Sequence, residues 1–271
     1  MYTAQYDHRH EETVIVVGCG GTGGYVAEGL CRILPEHFKI ILQDHDRVED
    51  RNLLRQNFFA SDLGKFKSQA LAERLSTNYR RAIGYKVLPY GMHASQMYSV
   101  PSIIIGCVDN PEARNALANE PMSMAWWIDA GNSHHSGQVL IGNINHSGIR
   151  QSFLPNSKVA RTLPLPSVQL PSILAPVAKK EPDCATAVQQ EEQSPVINQM
   201  MATLVLQTVH ALIHNTLTYM AQYVDLELGT LTTIRIDPKT VARMCGVKIN
   251  TLIGSETEKN LLGGMNDDDE G

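Results

Sequence analysis

The eleven residues from Val14 to Gly24, VIVVGCGGTGG, constrain this chain more than any other stretch. Val14 to Val17 are apolar and β-branched, the composition of a strand buried on both faces. The run stops at Gly18, and Gly20, Gly21 and Gly23 lead into a helix expected over Gly24 to Leu34. A strand that ends in glycines and feeds a helix N-terminus leaves backbone N–H groups and the positive end of a helix dipole converging on one point, where a phosphate can sit. The pattern marks a nucleotide site without choosing the nucleotide.

Downstream, the same grammar repeats. Lys39 to Leu42 reads as a second strand that delivers Asp44 at its tip, about 20 residues beyond the last glycine, where an acid can accept hydrogen bonds from ribose hydroxyls or be an ordinary surface turn residue. Strands are expected at Lys86 to Pro89, at Ser102 to Cys107 and at Trp127 to Ala130, with an edge strand at Gly137 to Ile144. Helices are expected at Ser68 to Tyr79 and Glu112 to Asn119. Such alternation argues an α/β fold with a doubly wound, mainly parallel sheet and flanking helices. From His146 to Asp183 six prolines (155, 164, 166, 171, 176 and 182) rule out a long helix and predict a Pro-rich crossover. Ser194 and Pro195 then cap a long helix with Ile197, Met200, Met201, Leu204, Val205, Thr208 and Leu212 on one face. His210 and His214 lie one turn apart on it, as a metal pair or, more simply, as its polar flank. Leu226 to Leu228 and Leu231 to Ile236 read as a closing antiparallel hairpin ended by Asp237 and Pro238.

At 271 residues the expectation is an N-terminal arm (1–12), one main domain (13–253, crossover about 146–193) and a disordered polar tail (254–271). With 23 Lys and Arg against 28 Asp and Glu, nothing favours a nucleic-acid partner. The N-terminal residues lack an apolar signal region, and the apolar segment from Val196 to Met220 is interrupted by Gln199, Gln207, His210, His214 and Asn215, so a soluble, cytoplasmic protein with no membrane partner is expected. The five cysteines (19, 31, 107, 184 and 245) contain no CxxC pair, which argues against a disulfide framework or a tetrathiolate zinc site.

The polar connector from Arg47 to Gln69 narrows the nucleotide. Asn52, Arg55 and Gln56 fall close together and Lys67 precedes a helix. Arg55 and Lys67 place two cations where they can neutralise a triphosphate and the charge that develops as pyrophosphate leaves, although a surface lysine is by default merely solvated. Asp109, at the carboxyl end of the SIIIGC strand, is the candidate Mg²⁺ ligand, with helix capping by Asp109 or its neighbour Asn110 as the simpler role.

Taken together, VIVVGCGGTGG, the DHD after the second strand, NLLRQ with Lys67, VDN, and AGN followed by GQV resemble the superfamily of ThiF, MoeB, HesA and the ubiquitin-activating enzymes. The chain is similar within it to the ThiF-like member of the plasmid-associated PRTRC gene set. The resemblance spans about Thr13 to Val139 and implies a Rossmann-like adenylating domain, a homodimer, and ATP held by Gly18, Gly20, Gly21, Gly23, Asp44, Asn52, Arg55, Gln56, Lys67 and Asn110, with Mg²⁺ on Asp109. It further implies adenylation of the C-terminal glycine carboxylate of a ubiquitin-like or sulfur-carrier protein. In some members a crossover-loop cysteine then takes the acyl group as a thioester; Cys184 lies in the corresponding region, as that nucleophile or as an ordinary loop cysteine. The CxxC zinc site of the bacterial members is absent, so no structural zinc is expected. Two other readings stay open: an NAD-dependent oxidoreductase, in which Asn52, Arg55, Lys67 and Asp109 have no task, and a non-catalytic binding scaffold.

Overall fold

The computed structural model describes residues 1–9, 11–90, 102–119, 125–175 and 194–253. In chain order these form β1 (Thr3–Ala4), β2 (Glu12–Val17), α1 (Gly21–Ile33), β3 (Phe38–Gln43), α2 (Lys67–Tyr79), β4 (Ile83–Lys86), β5 (Ile103–Gly106), α3 (Pro111–Asn119), β6 (Trp126–Asn132), β7 (Ser136–Gly142), β8 (Val159–Ala160), α4 (Pro166–Gln169), α5 (Pro195–Ile213), β9 (Tyr219–Asp225), β10 (Thr230–Arg235), α6 (Pro238–Cys245) and α7 (Ile249–Leu252).

One sheet organises them, in the order β10-β9-β7-β6-β5-β2-β3-β4. The pairs β6–β5, β5–β2, β2–β3 and β3–β4 are parallel, and β6–β7, β7–β9 and β9–β10 are antiparallel. The sheet is therefore the doubly wound α/β architecture expected from the sequence, closed on one side by the antiparallel pair β9–β10. The chain leaves β2 in one direction to β3 and β4 and returns on its other side as β5 and β6. That makes the β2/β5 junction the point where the winding reverses, the place where such sheets open a crevice at their carboxyl edge.

The central strands are apolar throughout because both of their faces are covered. Val14, Val16, Ile40, Leu42, Ile103 and Ile105 point into the larger core with Val26, Leu30, Leu71, Val205 and Val209 of α1, α2 and α5. Ile15, Val17, Ile41, Ile104 and Trp127 point to the opposite face, onto Leu117 of α3 and Ile173. Helix α5 is long and apolar enough to cross a membrane, but here it lies on the sheet and on α1 with most of its length buried. Ser194 caps it through its hydroxyl, which accepts from the Val196 N–H, with Pro195 in the first turn as expected.

Several boundaries differ from the sequence reading, each for a physical reason. Helix α1 begins at Gly21 rather than Gly24, its first turn built from residues of low helix propensity that tertiary packing holds in place. The third parallel strand is Ile83–Lys86, not Lys86 to Pro89; at the sheet edge it needs only one buried side chain, Ile83. The Gly137 to Ile144 strand is interior, because β9 pairs with its outer side. Leu226 to Leu228 forms the turn of the closing hairpin, whose first strand is Tyr219–Asp225. Asp237 and Pro238 end that hairpin by starting α6, where the Asp237 carboxylate accepts from the Thr240 N–H. The N-terminal segment packs on the rest of the fold: β1 pairs with β8, and the Tyr6 N–H donates to Asn215 Oδ1. The crossover carries structure as far as residue 175, including β8 and α4. The proposed tail, 254–271, lies outside the described residues.

Among the described glycines, the one with least room for a side chain lies in the glycine turn itself. A Cβ at Gly23 would stand 1.8 Å from the Gly18 carbonyl oxygen, a backbone atom that cannot rotate away. We therefore expect Gly23→Ala to destabilise the protein by about 1–3 kcal/mol or more, as overpacking does, read as a lower urea midpoint at an unchanged slope; a wild-type midpoint would contradict this packing.

Candidate nucleotide site

The register of the sheet sets the site. Lys86, Gln43, Val17, Gly106 and Asp129 pair across β4, β3, β2, β5 and β6 in a single row. The residues that follow that row, Asp44, Gly18 and Cys107, together with Ala130, therefore emerge along one rim. They line an open cleft of about 670 Å³.

Gly18 sits at φ +87°, and a Cβ there would stand 2.5 Å from the Cys107 carbonyl oxygen, so only glycine fits between β2 and the end of β5. The turn then presents Gly20 as the N-cap of α1, and no side chain caps that helix. Its first-turn N–H groups face the cleft edge, where an anion would complete them. Two backbone N–H groups of the turn are taken: Gly18 donates to the Gln43 carbonyl at 2.9 Å and Cys19 to Asp44 Oδ2 at 2.7 Å, while Asp44 Oδ1 accepts from the Asp46 N–H at 2.8 Å. Asp44 is thus held rigidly against the glycine turn, and burial pushes its carboxyl up despite those two bonds. A carboxylate has lone pairs left over for hydroxyl donors.

Of the connector residues, Arg55, Gln56 and Lys67 reach the cleft. Gln56 lies over Gly20, 3.6 Å from where a Cβ would stand. The Arg55 Nε and the Gln56 Oε1 are buried with no hydrogen-bond partner. A buried guanidinium N–H left unmet is costly, and a phosphate oxygen is the natural acceptor for it. Lys67, at the start of α2, donates to Asp46 Oδ2 at 2.9 Å from a largely buried position. The Asp46 carboxyl is lowered, burial raising it but the Lys67 hydrogen bond and charge outweighing that. Asn52 and Gly23 stay outside the cleft lining. Asn52 is buried, its Oδ1 accepting from the Glu49 N–H at 2.9 Å, so it shapes the connector turn, and Gly23 serves the packing described above.

At the β5 end the two capping candidates divide their roles. Asn110 Oδ1 accepts from the Ala113 N–H at 2.8 Å and caps α3. Asp109 is exposed, lines the cleft and forms no ion pair among the described residues. Cys19 and Cys107 are both held as thiols, their pKa values raised by burial first and by neighbouring carboxylates second, so neither is a nucleophile at neutral pH. Cys184 lies outside the described residues.

Three residues at or behind the cleft wall escaped the sequence reading: Arg114, Asp129 and Asn198. Arg114, one turn into α3, reaches the cleft wall and pairs through Nε with Asp129 Oδ1 at 3.1 Å. Asp129 is fully buried and its carboxyl is pushed up to about 6 by that burial, against the opposing charge and hydrogen bond of Arg114. Asn198, polar and buried on the apolar face of α5, donates to the Arg55 carbonyl at 3.3 Å and accepts from Asn132 Nδ2 at 3.1 Å. It ties the cation-bearing connector to the rim of β6. The signals were present: an arginine four residues after Asn110, and an asparagine between Ile197 and Met201.

The sequence profile of the ThiF family matches residues 2–247. The chain belongs to the ThiF family. Ubiquitin-like modifier-activating enzyme 5 of Culex quinquefasciatus is 28% identical over 201 residues, covering 68% of this chain and 47% of the relative. The protein of the same name from Dictyostelium discoideum is 28% identical over 162 residues, covering 50% and 40%. This ThiF-family chain thus spans less than half the length of those curated relatives. Among solved structures, E. coli MccB with ATP superposes with a TM-score of 0.58 at 16% identity, covering 83% of this chain and 64% of that one. PaaA superposes at 0.56 and 16%, covering 84% and 64%. At such identities the likeness is one of fold.

The Arg114–Asp129 pair gives this ThiF-family site a pH signature. With a folded value of about 6 against 3.8 for the free group, Asp129 in the folded protein keeps a proton that the unfolded chain has released between those values. The contribution of this group to stability therefore falls as pH rises from about 4 to about 6, by up to roughly 3 kcal/mol. Asp129→Asn, a neutral stand-in for the protonated acid beside Arg114, is expected to lack that decline, so that its stability relative to the wild type rises between about pH 4 and about pH 6. Equal pH slopes of the urea midpoint in the two proteins would contradict the assignment.

Proposed function

We propose that this ThiF-family chain binds ATP in the β2/β5 cleft and transfers its adenylyl group to the C-terminal carboxylate of a ubiquitin-like, sulfur-carrier or peptide substrate. The observation that carries the reading is the cation set around the turn: the unmet Arg55 Nε, the buried Lys67 and the uncapped α1 N-terminus all serve one cleft. A dinucleotide brings a two-charge pyrophosphate to the glycine turn, whereas a triphosphate brings more charge and a pyrophosphate leaving group, and so makes fuller use of Arg55 and Lys67. The kinship with proteins named ubiquitin-like modifier-activating enzymes, and a fold shared with MccB solved with ATP, support the same choice.

In this scheme a substrate carboxylate oxygen attacks the α-phosphorus, the O–P bond to the acyl group forms, and the bond to the β-phosphate oxygen breaks to release pyrophosphate. The protein supplies no covalent group. Its work is to hold the two anions together and to neutralise charge as it moves onto the leaving phosphates. Asp44 would receive the ribose hydroxyls, the α1 N–H groups and Arg55 the phosphates, and Lys67 would exchange part of its contact with Asp46 for phosphate oxygen. Asp109, an exposed carboxylate at the strand end, suits Mg²⁺, which favours one or two carboxylates plus phosphate oxygens and would shield the phosphate charge. Should the acyl adenylate pass to a thioester, Cys184 is the proposed acceptor, since the cleft thiols Cys19 and Cys107 are held protonated.

The test is ATP–pyrophosphate exchange in the presence of a ubiquitin-fold protein ending in glycine. We expect exchange that requires the partner and falls by roughly 10²–10³-fold in Arg55→Ala, the scale set by loss of one charge-stabilising donor. A comparable fall is expected in Asp109→Ala, with the fold retained because its side chain is exposed. Wild-type exchange in both variants would contradict the mechanism.

A further inference from the structure

At the amino end of the parallel strands, on the edge away from the cleft, three potential metal ligands converge: His8 on the N-terminal segment, Glu12 opening β2 and His37 just before β3. All of their donor atoms lie within 4.8 Å of one another. His8 Nδ1 is 2.8 Å from Glu12 Oε1, and His37 Nε2 is 3.6 Å from the same oxygen. Ligands on a tetrahedral Zn²⁺ at about 2.0–2.2 Å stand roughly 3.3 Å apart, a spacing that these two distances bracket.

The surroundings favour a cation there. The Glu12 side chain is fully buried, and a buried carboxylate requires a positive partner. Among the described residues no lysine or arginine forms an ion pair with it; its contacts are His8, His37 and the Tyr6 hydroxyl, which donates to Oε2. His8 Nε2 is 2.9 Å from the Ile213 carbonyl, so that nitrogen carries a proton and donates. The Nδ1 faces Glu12 Oε1 across 2.8 Å, so a cation must lie between the two atoms: a proton, which the Glu12 contact favours, or a metal ion. A metal ion held there takes the place of that proton. The bond to Ile213 is then the outer contact that commonly fixes a metal-binding histidine in its tautomer. Both imidazoles are half-exposed, which leaves an open side for entry and for a water as fourth ligand.

The geometry points to a divalent transition-metal site of the Zn²⁺ class formed by His8, Glu12 and His37, which fastens the N-terminal segment to β2 and to the α1–β3 loop. Its donor set is nitrogen and oxygen, unlike a thiolate zinc site, which the lack of CxxC pairs argues against, and it is independent of the nucleotide reading.

The experiment uses tag-free full-length protein stripped with EDTA and titrated calorimetrically with Zn²⁺, then with Co²⁺ monitored by visible absorption. One equivalent of Zn²⁺ is expected to bind, with Co²⁺ giving the d–d bands of a tetrahedral site. His8→Ala and His37→Ala, changes at half-exposed positions that leave the fold intact by circular dichroism, should each weaken binding at least about tenfold, the scale of losing one contact of the metal shell. His210→Ala, which removes one ring of the stacked pair on α5, should leave it unchanged. Absence of stoichiometric binding, Co²⁺ spectra of an octahedral hydrated ion, or an equal loss in His210→Ala would each overturn the assignment. ATP binding unchanged by His37→Ala would show that the site is separate from the cleft.

Discussion

The structure depends on how closely the end of β2 can approach the end of β5. Gly18 is wedged against the Cys107 carbonyl, and Gly23 is wedged against Gly18, so the turn between strand and helix has no room for a single added carbon on either side. Because α1 is drawn down onto the sheet by these contacts, its uncapped N-terminus opens at the reversal of winding and at the level of the strand ends. Everything else in the cleft is arranged around that point. Asp44 is bonded to the turn through the Cys19 N–H, Gln56 lies over Gly20, and Asn198 links α5 to the backbone of Arg55.

The cleft also shows why its charges are held as they are. Three acids at the cleft have distinct partners: Asp44 the turn backbone, Asp46 the Lys67 ammonium, Asp129 the Arg114 guanidinium. Asp109 and Glu112 line the cleft from exposed positions. Burial raises Asp44 and Asp129, whereas the lysine contact brings Asp46 down, so neighbouring carboxyls of one kind are set apart by their surroundings. Three of the buried side-chain atoms left without a partner, Gln43 Oε1, Arg55 Nε and Gln56 Oε1, belong to residues that line the cleft, as suits a site that a ligand completes.

Much of this was legible in the residues. The glycine turn, the parallel strands and the acid at the tip of β3 follow from apolar runs broken by glycine, since a strand buried on both faces has no polar positions to obscure it. What failed did so where one signal masked another. The apolar run from Val196 to Met220 joins the end of α5 to the start of β9, so the strand was hidden and β7 looked like an edge. IGYK, at β4, carries one buried residue and so lacks an apolar signature. Asn52 belongs to a recognisable motif, and the motif alone does not show that its side chain also accepts from the Glu49 N–H within the connector turn. Arg114 and Asn198 needed the third dimension, because their partners Asp129 and Asn132 are far away in the chain.

The central claim is that the cleft is built for a triphosphate rather than a dinucleotide. Calorimetric titration of the full chain with ATP and Mg²⁺, and separately with NAD, tests it most directly. The account predicts one ATP site per chain, weakened at least about tenfold by Arg55→Ala because a charge-assisted hydrogen bond is lost, and no heat from NAD. Saturable NAD binding in the absence of ATP binding would contradict it.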